Sequence, residues 1–205
     1  MHNKKYSYID ITQTIESNMA KYSSDPDVII SQFKSLKKGN SCNLVKLSMG
    51  SHTGTHIDAP SHMLDRGGGI DSIALHRFFC RVYLGHVKDI AKKDFFKKLK
   101  MKNAKGILLK GKNQISGLSV KAAELLTKNR ISLIGTERMS IENPGDSTHT
   151  VHKILLKKNV LIIECLNLKN VKTGFYDIIC FPLKIKNCDG APARVLLQKI
   201  DNSNA

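Results

Sequence analysis

Short apolar runs alternate along the chain with short amphipathic ones, and run length separates strands from helices. Residues 8–11 read as a first short strand, followed by loop through Asp25-Pro26-Asp27. Leu44-Val45-Lys46-Leu47-Ser48 alternates apolar and polar residues, which predicts a half-buried strand. Further strands are expected at 81–89, at Ile107-Leu108-Leu109, at 131–134 closed by Gly135, and at 160–163, 176–181 and 193–200. Three segments carry helical spacing instead. Residues 92–101 place Phe95, Phe96 and Leu99 on one face, Ser119 can cap a helix running to about Lys128, and 147–157 turns Val151, Ile154 and Leu155 inward. Strands and helices alternate, so the predicted class is α/β.

No internal repeat, low-complexity tract or Pro/Ser linker breaks the pattern, and 205 residues suffice for one full core. Residues 1–205 are therefore expected to form a single domain. A hydrophobic fraction of 41% and a charged fraction of 24% are ordinary for a globular chain. The first ten residues are polar, and no apolar run approaches the ~20 residues that span a bilayer. The expectation is a cytoplasmic protein with no membrane partner. Cys42, Cys80, Cys165, Cys180 and Cys188 are scattered and form no C-x-x-C pair, which argues for reduced thiols over disulfides or a thiolate zinc cluster.

A net charge of +16 raises nucleic acid as a partner. The lysines are dispersed, however (Lys92, Lys97, Lys110, Lys112, Lys121 and Lys128 among them), with no arginine-rich arm or aromatic-basic stripe. A solvated lysine surface is expected, without specific nucleic-acid binding. The alternative from another class is a basic nucleic-acid-binding protein whose histidines are structural. Such a binder would lose affinity steeply with salt and ignore a chelator.

The densest chemistry lies in Ser51-His52-Thr53-Gly54-Thr55-His56-Ile57-Asp58-Ala59-Pro60-Ser61-His62. Imidazole nitrogens and carboxylate oxygens are the donors that zinc and its divalent neighbours take. Gly54, two β-branched threonines and Pro60 oppose a helix, so His52 and His56 are placed on a loop or irregular strand end. His52, His56 and Asp58 would suffice for one catalytic metal, and a site open on one side implies hydrolysis. His62 reads as an acid/base, with a fourth ligand or a hydrogen-bond partner of Asp58 as alternatives. Gly54 is expected to let the backbone pass close to the metals. Thr55 is either a donor to a bound ligand or a plain turn residue.

His152 and Glu164 offer a second group. Beyond His152 the expected helix runs on about 7 Å at ~1.5 Å per residue, and the strand returns about 13 Å at ~3.3 Å per residue. The two side chains can thus face one point. A carboxylate closing a buried strand is costly unless it is paired or bound to a cation.

Residues 51–62 resemble the H-x-G-T-H-x-D-x-P-x-H signature of the cyclase family of metal-dependent hydrolases, whose best known bacterial members are kynurenine formamidases (arylformamidases). Ile134-Gly135-Thr136-Glu137, the stretch from Val151-His152 through Glu164-Cys165-Leu166, Phe181-Pro182-Leu183, and Asp189-Gly190-Ala191-Pro192 resemble further family segments. The resemblance implies an α/β fold of swivelling β/β/α type, with a mixed sheet or barrel core flanked by helices. It also implies a homo-oligomer, either dimer or tetramer. It further implies a centre of two zinc ions, or manganese. His52, His56 and Asp58 would hold the first and Asp58, His152 and Glu164 the second, with Asp58 bridging and His62 left unligated. The implied reaction is hydrolysis of N-formyl-L-kynurenine to L-kynurenine and formate in tryptophan catabolism, with another small amide, lactam or acyl compound as the alternative. Cys165 stands where the family usually has asparagine, and Glu137 where aspartate is common. The chain has no tryptophan, and Tyr22-Ser23-Ser24-Asp25-Pro26 only loosely resembles the family's aromatic loop.

Overall fold

A computed structural model of the chain describes residues 8–111 and 117–200. Lys112, one of the dispersed lysines, lies outside the described residues. The apolar runs become strands β1 (Tyr8–Asp10), β2 (Ile29–Lys34), β3 (Leu44–Ser48), β4 (His56–Asp58) and β5 (Phe79–His86). They continue with β6 (Gly106–Lys110), β7 (Leu133–Thr136), β8 (Leu161–Glu164), β9 (Gly174–Pro182) and β10 (Gly190–Lys199). Helices α1 (Phe95–Met101), α2 (Val120–Lys128) and α3 (Thr150–Lys157) separate β5, β6, β7 and β8 in turn.

Those four strands run parallel, as strands joined through crossover helices do. β4 pairs antiparallel with β8 and β10, and β9 pairs antiparallel with both β5 and β10. The order β10-β4-β8-β7-β6-β5-β9 therefore closes on itself as a seven-stranded mixed barrel, and β1 adds to β10.

Strand alternation sorts the side chains into two cores. Val82, Leu84, Leu108, Leu133, Leu161 and Ile163 pack inside the barrel. Their neighbours Ile107, Leu109, Ile134 and Ile162 face outward and pack against Leu99, Leu126 and Leu155 of the helices. The expected class and helical flanks are found, with a closed barrel as the core.

Several boundaries differ from expectation, each for a local reason. The strand expected over 81–89 ends at His86, because Asp89 accepts the His86 amide at 2.8 Å and turns the chain into a 3-10 turn at Val87–Ala91. Ser119 does cap α2, its Oγ accepting the Ala122 amide at 3.2 Å. Gly135 lies within β7 instead of closing it. A Cβ there would stand 2.6 Å from both Leu108 and Leu166, so the glycine serves close packing. The helix expected from Ser147 starts at Thr150, because Asp146 binds both the amide and the hydroxyl of Thr148, and His149 turns left-handed at φ 51°. β3 is a strand, but it is exposed throughout. It pairs with β2, which the sequence pattern missed, in a ribbon exposed along its length.

Candidate metal centre

β4 lies antiparallel to β8 with His56 opposite Glu164 and Asp58 opposite Ile162. Ile57 and Ile163 fill the barrel, so the period-2 alternation turns His56, Asp58 and Glu164 outward onto one face. The first turn of α3 lays His152 over that face, and the loop before β4 brings His52 to it. Two distant parts of the chain thus converge.

Asp58 is the hub. It is fully buried, with His52 Nδ1 at 3.0 Å and His56 Nε2 at 3.4 Å from Oδ1, and His152 Nε2 at 3.5 Å from Oδ2. Glu164 faces the same imidazoles, at 3.3 Å from His152 Nε2 and 3.6 Å from His56 Nε2. His62 stands at the rim, half-buried, its ring centre 4.0 Å from that of His52 and 6.0 Å from that of His152. All six candidate residues are therefore brought together.

Backbone and carboxylate partners fix which nitrogen each imidazole offers. His56 Nδ1 donates to the Gly54 carbonyl at 2.8 Å, and His152 Nδ1 donates to Glu142 Oε1 at 3.1 Å. Both rings therefore turn Nε2 toward Asp58 and Glu164, the arrangement that metal-binding histidines use. Gly54 adopts φ 62°, a left-handed turn, and its carbonyl accepts from His56, so it orients a side chain of the centre. Thr55 is structural: its hydroxyl donates to the Cys165 carbonyl at 2.7 Å and accepts the Gln13 amide at 2.9 Å.

The electrostatics match this crowding. Burial alone would lower His152, but Asp58, Glu142 and Glu164 outweigh it and push the imidazole up to about 12. His56 is likewise raised against its burial by Asp58, Cys165 and Glu164, and His52 by Asp58 and Asp189. Burial would raise Asp58, yet the surrounding imidazoles of His152, His52 and His56 hold it well below the usual carboxylate range. For His62 burial dominates and lowers the imidazole. The centre thus balances buried carboxylates with protons on imidazoles. A divalent cation would supply the same balance to the same nitrogen and oxygen donors. Asp58 Oδ2, buried and without a hydrogen bond, is the oxygen that such an ion would satisfy. His52, His56 and Asp58 each offer a ligand atom within 4.8 Å of the others. The same reach holds for Asp58, His62 and His152.

Two residues at the centre escaped the sequence reading, and a third, Tyr22, entered it only through a loop that loosely resembles the family's aromatic one. Asp189 Oδ2 accepts from His52 Nε2 at 2.9 Å and lies 3.4 Å from His62 Nδ1. Burial opposes it, but His52 and Ser51 hold its carboxyl down to about 2. Its only signal was the Asp-Gly-Ala-Pro turn, which carried no chemistry by itself. Glu142 Oε1 takes both the backbone amide and Nδ1 of His152, and a lone acid ten residues earlier gives no warning of that. Tyr22, half-exposed, lies near Ser140 and sits within reach of the charges of Glu164 and His152. Burial raises its phenol.

Comparison with known proteins points the same way. The family described as "Putative cyclase" matches residues 9–143. A kynurenine formamidase from Bacillus anthracis is 28% identical over 96% of this chain and 100% of its own length. A solved structure described as a potential metal-dependent hydrolase with cyclase activity superposes with a TM-score of 0.77 at 30% identity, covering 96% of this chain and 99% of the other. Isatin hydrolase A from Labrenzia aggregata shares the fold, with a TM-score of 0.76 at 22% identity over 96% of this chain and 94% of its own.

Proposed function

The chain belongs to the cyclase family, and from that premise we propose that it is a metal-dependent hydrolase of a small amide C–N bond. The observation that carries the reading is Asp58, buried among three imidazoles, with Glu164 facing two of the same rings. His52, His56 and Asp58 would hold one ion and Asp58, His152 and Glu164 a second. The nitrogen and oxygen donor set suits zinc first and manganese next. Such an ion, when bound, lowers the pKa of a water toward ~7 and polarises the amide carbonyl.

The remaining work falls to the chain's own groups. The Gly54 carbonyl and Glu142 keep His56 and His152 in the tautomer that presents Nε2. His62, at the rim, accepts the proton of the attacking water and returns it to the departing nitrogen. Asp189 steadies His62 through Nδ1. Tyr22 offers an aromatic wall beside Glu164 and His152.

N-formyl-L-kynurenine, cleaved to L-kynurenine and formate in tryptophan catabolism, is the proposed substrate. It is supported by relatives of that activity aligned over nearly the whole chain. A cyclic amide is the second reading, favoured by the fold shared with isatin hydrolase A. We also propose a cytoplasmic homo-oligomer. The five cysteines are free, as in a reducing compartment. Among the described residues no helix is long and apolar enough to cross a membrane.

The test is hydrolysis by zinc- and manganese-loaded protein of N-formylkynurenine, isatin and other cyclic amides, with metal content measured alongside. Chelation should abolish turnover and added metal restore it. Turnover of a cyclic amide alone would replace the formamide reading. Turnover indifferent to the chelator would refute the metal centre.

A further inference from the structure

Glu142 uses only one of its carboxylate oxygens. Oε1 accepts the backbone amide of His152 at 2.9 Å and its Nδ1 at 3.1 Å. Oε2 is buried without a hydrogen-bond partner, on a residue only 3% exposed. A buried carboxylate oxygen left alone is costly, and a cation would satisfy it. The ions of the centre do not reach it, because they face the other edge of the His152 ring, where Nε2 meets Asp58 and Glu164. His149 lies on the Glu142 side. Asp146 binds the amide and hydroxyl of Thr148, and the chain then enters α3 through His149 in a left-handed turn at φ 51°. Its ring centre stands 6.1 Å from that of His152, with the rings at 79°. His149 is half-buried, so solvent reaches part of it.

We propose that Glu142 Oε2 and the His149 imidazole form a further zinc site, outside the centre, with water completing the coordination. Glu142, His149 and His152 each offer a donor atom within 4.8 Å of the others. Zinc takes imidazole nitrogen and carboxylate oxygen at about 2.0–2.2 Å, which sets two donors about 3.3 Å apart in a tetrahedral site. From a limit of 4.8 Å the His149 ring closes by no more than about 1.5 Å, within reach of a side-chain rotation. His152 is a neighbour and not a ligand of this zinc, because its Nδ1 keeps a proton on Oε1.

Two protein ligands make a weaker site than the centre, so it fills when zinc is in excess. Its occupancy has a consequence through the shared carboxylate. Zinc on Oε2 draws charge from Glu142 and weakens the bond from His152 Nδ1 to Oε1. His152 then holds its own ion less firmly, since the partner of the second ring nitrogen sets the strength of the first as a ligand. Excess zinc therefore acts as a brake. The site stands without the hydrolase reading above, whereas the brake rests on it.

The experiment is calorimetric titration of the full-length chain with zinc, with metal analysis at saturation and circular dichroism to verify the fold. His149→Asn removes the imidazole but suits a left-handed turn at a helix start. His149→Cys restores a zinc donor at the same place. Wild type should take up one zinc more than His149→Asn, and His149→Cys should regain it. Loaded with cobalt, His149→Cys should add a near-ultraviolet sulfur-to-cobalt band that wild type lacks. Equal zinc counts in wild type and His149→Asn, or no new band, would overturn the site. Amide turnover is then followed as zinc rises. Half-inhibition of His149→Asn should need at least ~10-fold more zinc than that of wild type. Equal inhibition would overturn the brake. No turnover in any of the three proteins would sink the hydrolase reading and the brake together, while the zinc count still decides the site.

Discussion

Gly190→Ala would test whether the barrel holds His52 in place. Gly190 pairs with Asp58 across β10 and β4, and the His52 imidazole occupies the space where a side chain would begin. A Cβ at this position would stand 2.8 Å from His52 Cε1, 3.1 Å from its Nε2 and 3.0 Å from the Ile57 carbonyl oxygen. Carbon atoms settle at about 3.5–4.0 Å, so the ring must retreat by roughly 1 Å. Its two nitrogens resist, held by Asp58 at 3.0 Å and Asp189 at 2.9 Å. Overpacking of this kind costs about 1–3 kcal/mol. For a chain of this length that lowers Tm by roughly 2–10 °C. A reacting group misplaced by about 1 Å costs on the order of 100-fold in rate. Gly145→Ala is the control, because Gly145 has a left-handed φ of 78° that strains an alanine, while a Cβ there meets nothing within 4 Å. Calorimetry, metal content and kcat/KM on the amide substrate separate the effects. Gly190→Ala should lose metal and rate as well as stability, and Gly145→Ala stability alone. Wild-type metal content and rate in Gly190→Ala would refute the claim that His52 belongs to the centre.

Asp58→Asn keeps the shape but removes the shared charge. It should release both ions and lower kcat/KM by at least ~1,000-fold, since buried charge networks fail when one partner is lost. A variant that keeps two metals would show that Asp58 is not shared. His62→Gln should keep its metal and lose about 100- to 10,000-fold in kcat with little change in KM, and metal loss would recast His62 as a ligand. Glu142→Gln should weaken metal affinity about 10- to 100-fold, as read by competition with a chelating dye, and unchanged affinity would remove its orienting role. Asp89 gives a pH signature. Burial would raise its carboxyl, but the His86 amide and the Lys92 ammonium hold it below the ordinary value. Its stabilisation is therefore complete above the unfolded pKa of ~3.9 and fades as pH falls through the lower folded value. Asp89→Asn should have a lower urea midpoint than wild type near neutral pH and converge with it in acid. A gap that persists unchanged in acid would contradict that linkage.

Residues with local signatures were legible in the sequence. Ser119 announces its helix, the apolar runs at 107–109 and 160–163 announce buried strands, and the spacing of His52, His56 and Asp58 announces metal chemistry. Even the approach of His152 to Glu164 followed from helix and strand rises, and their 3.3 Å separation agrees. What escaped depends on pairing between distant segments. A barrel core was implied by the family resemblance alone, because closure needs β9 between β5 and β10, a non-local choice without local sequence signature. Glu142 and Asp189 are single acids whose partners become visible only once α3 and the barrel are in place. β2 was missed because it is exposed at every position, so its apolar and polar residues follow no alternation set by burial.

The position of the centre on the outer wall of the barrel follows from parity. The interior is filled with apolar side chains, which leaves ionised groups no place there. A one-residue slip of β4 would drive His56 and Asp58 inward and expel Ile57, so the hydrophobic effect that builds the barrel also fixes the register of the centre. The pairing of Gly190 with Asp58 and Pro192 with His56 holds β4 from its other side. His56, Asp58 and Glu164 therefore stand on strands, and His152 stands on a helix whose amide and ring share one carboxylate oxygen. His52 comes from a loop and His62 from a short 3-10 turn at Pro60–His62, both leaning on Asp189 at the rim. Strands and a helix carry the groups whose spacing an ion would demand, and a loop and a short turn carry the rim, where the proposed proton transfer would take place.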